Sequence, residues 1–355
     1  MRPQTRYFVQ GAAIGGIAAS VIDMIIQAIE LHDQRLPFWD NWNYNQTFKN
    51  GITGAAWGGV IGLAVYEVKQ IQESNLPFDP NKHLHNVLMS ASIKNDPVIL
   101  NAALNHRNQI ATNLNSVFNN KLADSPTYFG STVKGTAING NFDCDIFLPF
   151  KRESFGTLEE MYMSVYSTLK KDYKGFEVRK QKRSIGLSVS YEKSDLHFDI
   201  VPGRAIGDYR YDKSVNLFEY HSSVFEENSL IKSNVEIQSG VVRNRPDERK
   251  VIKLFKVYRD RNYLKLPSPV IEHFVIEAFD RRSYNSTSLF TNFKYCMEYM
   301  ADKIERNGLI DISNTNNNLL ESLTNSDRSC IRRQLERDLS RIYENKRYLK
   351  DIYEY

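Results

Sequence analysis

The chain has 355 residues, 41% hydrophobic and 25% charged, a balance that excludes a mostly disordered chain and a many-pass membrane protein. Its net charge of +4 is too small to imply a general nucleic-acid coat. Three scattered cysteines, Cys144, Cys296 and Cys330, form neither a metal-type pair nor a disulfide framework, which points to a reducing compartment.

Continuous apolar character is confined to the first 70 residues. Residues 7–29 carry one charge, Asp23, and residues 50–66 carry none. Both stretches space small residues four apart (Gly11, Gly15, Ala19; Gly54, Gly58, Gly62), a row that lets helix backbones approach closely. Between them Phe38, Trp39, Trp42, Tyr44 and Phe48 resemble an interfacial belt, and Arg2, Arg6 and Lys69 put both ends on the cytoplasmic side. Residues 1–75 are therefore expected to form an accessory glycine-rich helical hairpin. Two settings stay open for residues 7–66: a bilayer, or a protein interface such as a homo-oligomer. The carboxylate of Asp23 is expensive at mid-membrane and favours the second.

Leu76-Pro77-Phe78-Asp79-Pro80 reads as a linker, since two prolines exclude a continuing helix. A helical stretch follows at 83–122. Strand-like runs are expected at 127–129, 142–148, 176–182, 185–191 and 196–201, interrupted by a helix at 156–173. From Pro246 onward the pattern is helical, ending in an amphipathic helix marked by Ile331, Leu335, Leu339 and Ile342. Asn314 and Asn316–Asn318 read as a polar loop. The fold class is α+β, with domains expected at 76–240 and 241–355.

The chemistry-bearing segment is Tyr128-Phe129-Gly130-Ser131-Thr132, Lys134-Gly135-Thr136 and Phe142-Asp143-Cys144-Asp145-Ile146. Strand alternation puts Asp143 and Asp145 on one sheet face. Two adjacent carboxylates repel unless a cation sits between them, and magnesium suits one or two carboxylates plus substrate phosphates. Gly130 lets the backbone approach a phosphate, and Ser131 can donate to it. Asp199, between Phe198 and Ile200, points the same way from another strand. His197 shares that face and reads as structural. The basic run Arg179, Lys180, Lys182 and Arg183 reads as a solvated hairpin tip, and His83 with His85 has no partner for a metal.

Gly-Ser, then Asp-hydrophobic-Asp-hydrophobic, then a later hydrophobic-Asp-hydrophobic strand resembles the DNA polymerase β-like nucleotidyltransferase superfamily over about residues 85–345. Val251–Arg259, Lys265-Leu266-Pro267-Ser268 and Glu272–Glu277 resemble the helical domain of oligoadenylate-synthase-like enzymes and bacterial antiphage signalling nucleotidyltransferases. The resemblance implies two-metal phosphoryl transfer with two Mg2+ ions, or Mn2+, held by Asp143, Asp145 and Asp199. It implies a nucleotide-binding set of Gly130, Ser131, Lys134, Lys253, Lys256 and Ser268. Tyr258 stands where a tryptophan is common, and Pro269 follows the serine, so contacts to the base do not carry over.

The expected activity is template-independent synthesis of a short oligonucleotide signal for phage defence from ribo- or deoxyribonucleoside triphosphates. No template nucleic acid is expected. The terminal tyrosines Tyr353 and Tyr355 are candidate acceptors, as in the protein-primed synthesis attributed to Hailong-type defence, which acts with a membrane channel partner. Three alternatives remain: a cyclic oligonucleotide synthase, a toxin-like protein or tRNA nucleotidyltransferase, and a non-enzymatic membrane-anchored interaction protein.

Overall fold

The computed structural model describes residues 78–353 apart from 141, 193, 222–228, 283–285, 307 and 313, together with residues 12, 19 and 20. The expected hairpin, its membrane or oligomer setting, and Tyr355 lie outside the described residues. Among the described residues no helix is long and apolar enough to cross a membrane.

Pro80–Tyr353 forms one compact unit. It opens with helices α1 (Pro80–Ser90) and α2 (Pro97–Phe118). The single helical stretch expected at 83–122 is broken between them, because Asp96 caps α2 by accepting from the Ile99 amide and Pro97 occupies its first position. Strand β1 (Thr127–Phe129) leads into the short helix α3 (Gly130–Lys134), then β2 (Cys144–Phe150). Helix α4 (Leu158–Asp172) is capped by Thr157, with Glu159 and Glu160 in its first turn and Lys170 and Lys171 in its last, matching the helix dipole at both ends.

Strands β3 (Glu177–Lys180), β4 (Ile185–Tyr191), β5 (Ser194–Ala205), β6 (Val215–Glu219) and β7 (Ser229–Ser233) follow. The sheet runs β1-β2-β5-β4-β3, with β6 and β7 continuing beside the far end of β5. β2 and β5 are parallel and every other pairing is antiparallel. β5 is long enough to pair with β4 through Ile200 and then with β6 from Gly203.

Alternation along β2 and β5 assigns the faces. Cys144, Ile146, Leu148, Phe198 and Ile200 are buried against α2 and α4, through Ile110, Leu114, Met161, Tyr162 and Val165. The other face carries a smaller apolar cluster of Phe147, Val201, Val215, Leu217 and Val235. One face is thus the main core, and the other is free to hold polar chemistry at the strand ends.

The helical half comprises α5 (Val235–Gly240), α6 (Pro246–Arg261), α7 (Ser268–Arg281), α8 (Leu289–Lys303), α9 (Asn325–Glu344) and α10 (Tyr348–Tyr353). α9 starts on a capping box of Thr324 and Asp327 and buries Ile331, Leu335, Leu339 and Ile342, the expected stripe. One expectation is corrected. Residues 314–318 are not a loop but strand β9 (Asn314–Asn318), paired with β8 (Ile310–Asp311). Asparagine is a poor strand former, so the run carries no sequence signal. β6 and β7 are likewise additions to the expected strands.

Candidate functional site

The polar face of the sheet carries the acidic centre. Asp145 and Asp199 are direct register partners on the parallel pair β2–β5. Asp143 lies two residues before Asp145, exposed at the strand mouth, and Cys144 between them is buried. Burial, then the charges of Asp199 and Asp143, push the Asp145 carboxyl well above the usual carboxylate range. Burial and Asp143 raise Asp199 to about 6, against the opposing pull of a Gln181 hydrogen bond, His197 and Arg179.

Gly130 is fitted directly onto this centre. Its φ is +75°, a conformation that glycine adopts without strain. A Cβ there would overlap the Asp145 carboxylate. Phe129, the register partner of Asp145 on β1, brings the Gly130–Ser131 turn into place. The Ser131 carbonyl accepts from the amides of Thr136 and Ala137, which closes the loop carrying Lys134.

An open cleft of about 490 Å³ lies between this turn and the helical half. Its lining includes Gly130, Ser131, Lys134, Asp143, Asp145, Lys256 and Ser268. Seven of the residues singled out from sequence are therefore gathered at one cleft, from β1 to α7. Lys253 is outside the lining, half-buried one turn earlier beside Arg249 and Lys94, where burial and like charges lower its proton affinity. Tyr353 is 3% exposed in the helical core, and its hydroxyl donates to the Leu254 carbonyl. Tyr258 is also buried and donates to Asp338.

The cleft also contains a carboxylate with no role expected from sequence. Glu272 of α7 is buried and accepts from Lys134 Nζ at 2.8 Å and from Thr136 Oγ1 at 3.3 Å. Lys256, 4% exposed, stands 3.8 Å from Glu272 and donates to Thr136 Oγ1 at 3.4 Å. Burial lowers the proton affinity of Lys256, and Glu272 works against that shift. Glu272 thus joins the sheet half to the helical half through two lysines. Ser268, at the start of α7, accepts from Arg259 at 3.0 Å. The contacts of Glu272 with the sheet half span more than 100 residues, so no local pattern announces them.

The donor set fits a hard divalent cation. The cleft lining holds three cationic side chains (Lys134, Lys256, Arg259) against four acids (Asp143, Asp145, Asp260, Glu272), so a polyanion is not drawn in by the side chains alone. Among the described residues, no three acidic, histidine or cysteine side chains are drawn into a closed metal-ligating cluster. Three like charges gain nothing by converging until a cation lies between them. Carboxylate oxygens on a shared face are the donors that magnesium takes.

No protein-family model matches the chain, and no curated protein matches its sequence. Solved structures match its fold. CdnC of E. coli MS115-1 with ATP aligns at TM-score 0.57 and 17% identity, covering 77% of this chain and 97% of that one. The CD-NTase CdnG of Bradyrhizobium diazoefficiens with GTP aligns at 0.59 and 12%, covering 78% and 95%. The cyclic dinucleotide synthase CdnE of Elizabethkingia meningoseptica, with GTP and Apcpp, aligns at 0.50 and 15%, covering 72% and 97%. The chain has the α+β fold of these proteins.

Proposed function

We propose that the protein is a template-independent nucleotidyltransferase that joins nucleoside triphosphates into a short signalling oligonucleotide. The observation that carries this reading is the register pair Asp145–Asp199 on parallel strands, with the Gly130–Ser131 turn seated on Asp145. The shared fold with CdnC, CdnE and CdnG, whose structures hold ATP, GTP or Apcpp, supports triphosphates as substrates.

Asp143 and Asp145 would hold a Mg2+ on the triphosphate, and together with Asp199 a second ion beside the acceptor; bound there, the ions would supply charge neutralisation and Lewis acidity. The acceptor hydroxyl oxygen forms a bond to the α-phosphorus as the bond to the β-phosphate oxygen breaks, and pyrophosphate leaves. The hydroxyl proton passes to solvent. Gly130 and Ser131 receive phosphate oxygens. Lys134 and Lys256 exchange Glu272 for phosphate oxygens as the triphosphate enters.

Whether the product is linear or cyclic is decided by the acceptor. Priming on Tyr353 would require α10 to leave the helical core. The defence role rests on the resemblance read from sequence and on the fold. Incubation with Mg2+ and each labelled ribo- or deoxyribonucleoside triphosphate tests the reading. Released and protein-bound products are then separated by mass, with Asp143→Ala as control. A plaque assay with the same variant tests the biological role.

A further inference from the structure

We propose that Gln181 is a positioning residue for Asp199, held in one orientation by the β3–β4 turn. The inference rests on the nucleotidyltransferase reading, in which Asp199 is the third metal ligand. Gln181 is the uncharged member of the run 179–183.

Three observations fix its side chain. The turn itself is pinned from beneath: the Tyr162 hydroxyl accepts from the Gln181 amide, and its one proton is shared between the carbonyls of Gln181 and Ser184, all at 2.9–3.0 Å. Tyr162 is fully buried on α4, so the turn is tied to the main core. The amide orientation is set next, because the Ser184 hydroxyl donates to Gln181 Oε1. That leaves Nε2 as the free donor.

Finally, strand β4 makes room for the side chain. Gly186 is the cross-strand partner of Asp199, so anything lying where its side chain would project is on the Asp199 face. Gln181 fills that space: a Cβ on Gly186 would come within 2.5 Å of Nε2 and 3.0 Å of Cδ. The Gln181 amide thus lies across β4 on the Asp199 face, beside the cross-strand partner of Asp199, where its donor draws the carboxyl back toward the usual carboxylate range. A donor there turns the carboxylate and occupies one of its lone pairs, leaving the remaining oxygen lone pairs for a cation. The flipped amide would set a carbonyl oxygen against a carboxylate, so the Ser184 contact and the Asp199 contact enforce one another.

The test compares Gln181→Leu, which removes the donor at similar size, Gln181→Glu, which replaces it with an acceptor, and Gly186→Ala, which takes its space. Asp199→Asn is the reference. Mn2+ binding is followed by electron paramagnetic resonance with and without a non-hydrolysable triphosphate, beside kcat, KM and melting temperature. The outer-shell partner of a metal ligand is worth about 10- to 100-fold in metal affinity or activity. The expected result is a loss of that size in Mn2+ affinity and kcat for Gln181→Leu and Gly186→Ala, a larger loss for Gln181→Glu, and a triphosphate KM within about twofold of wild type. If Asp199→Asn weakens Mn2+ binding while both Gln181 variants bind as wild type does, the positioning role is overturned. It is overturned equally if the Gln181 variants lower only the melting temperature. If the wild-type protein binds neither Mn2+ nor triphosphate, the nucleotidyltransferase reading falls and takes this inference with it.

Discussion

The two walls of the cleft treat charge in opposite ways. On the sheet side Asp143 and Asp145 line the cleft, Asp199 stands beside Asp145 on the neighbouring strand, and among the described residues no cation lies within ion-pair distance of any of them. Opposite them, Lys256 and Arg259 of the helical half, and Lys134 reaching over from the sheet half, each have an acid already: Glu272 for the lysines and Asp260 for the arginine. A stable fold should neutralise buried charge, and the helical wall does so. The sheet wall does not, and it keeps an electrostatic cost that a bound cation would relieve. On the proposed function, the first surface would take an incoming cation and the second would exchange its own carboxylate for phosphate.

The sharpest way to break this contrast is to remove the unneutralised charge. Asp143→Ala and Asp145→Asn are expected to lower product formation by at least about 10³-fold, corresponding to several kcal/mol of lost transition-state stabilisation. Asp145→Asn is expected to raise the melting temperature of the metal-free protein, because it removes a carboxylate that burial and two neighbours disfavour. A variant both inactive and less stable would mean the aspartates are structural. Gly130→Ala comes next. It places a Cβ in the Asp145 carboxylate at a positive φ, and the strain of about 1–3 kcal/mol is expected to appear as lower melting temperature together with lost activity.

Lys256→Ala probes the paired wall. Lys134 remains to serve Glu272, so the expected stability loss is at the low end of the roughly 1–3 kcal/mol for a buried group losing a partner. Triphosphate KM is expected to rise about tenfold, with a smaller change in kcat, as steady-state kinetics would reveal. The smallest effect is a pH dependence. The Asp199 pKa is raised from 3.8 to about 6 in the fold, so between those values the native state binds more protons than the unfolded chain. Stability from this group is fully present below about pH 4 and lost as pH rises through about 6. Melting curves of metal-free wild type and Asp199→Asn from about pH 4 to about pH 8 should diverge over that window, and Mg2+ should restore the wild type above it.

What is legible in the sequence is local. The strands at 127–129 and 185–191 have the bounds expected of them, since period-two alternation and flanking turn residues are properties of the strand itself. The Asp143–Asp145 spacing and the Gly130–Ser131 turn are legible for the same reason. Asp199 is marked by its flanking apolar pair, Phe198 and Ile200, both buried. Glu272 is not legible as a cleft residue, because its partners Lys134 and Thr136 are 138 and 136 positions away. Gln181 is hidden in a basic run that reads as a solvated hairpin tip, whereas Arg183 and Lys182 pair with Glu219 and the glutamine turns inward. Lys253 has helical spacing in its favour, but spacing selects a face and cannot say where along that face the cleft ends.

The most direct test of the central claim is product formation from nucleoside triphosphates by the purified chain. Wild-type protein with Mg2+ should release pyrophosphate and yield an oligonucleotide resolvable by mass from at least one ribo- or deoxyribonucleoside triphosphate. Asp143→Ala should give none while melting at or above the wild-type temperature. A folded wild-type protein that releases no pyrophosphate from any triphosphate, or an Asp143→Ala variant that matches an active wild type, would contradict the account.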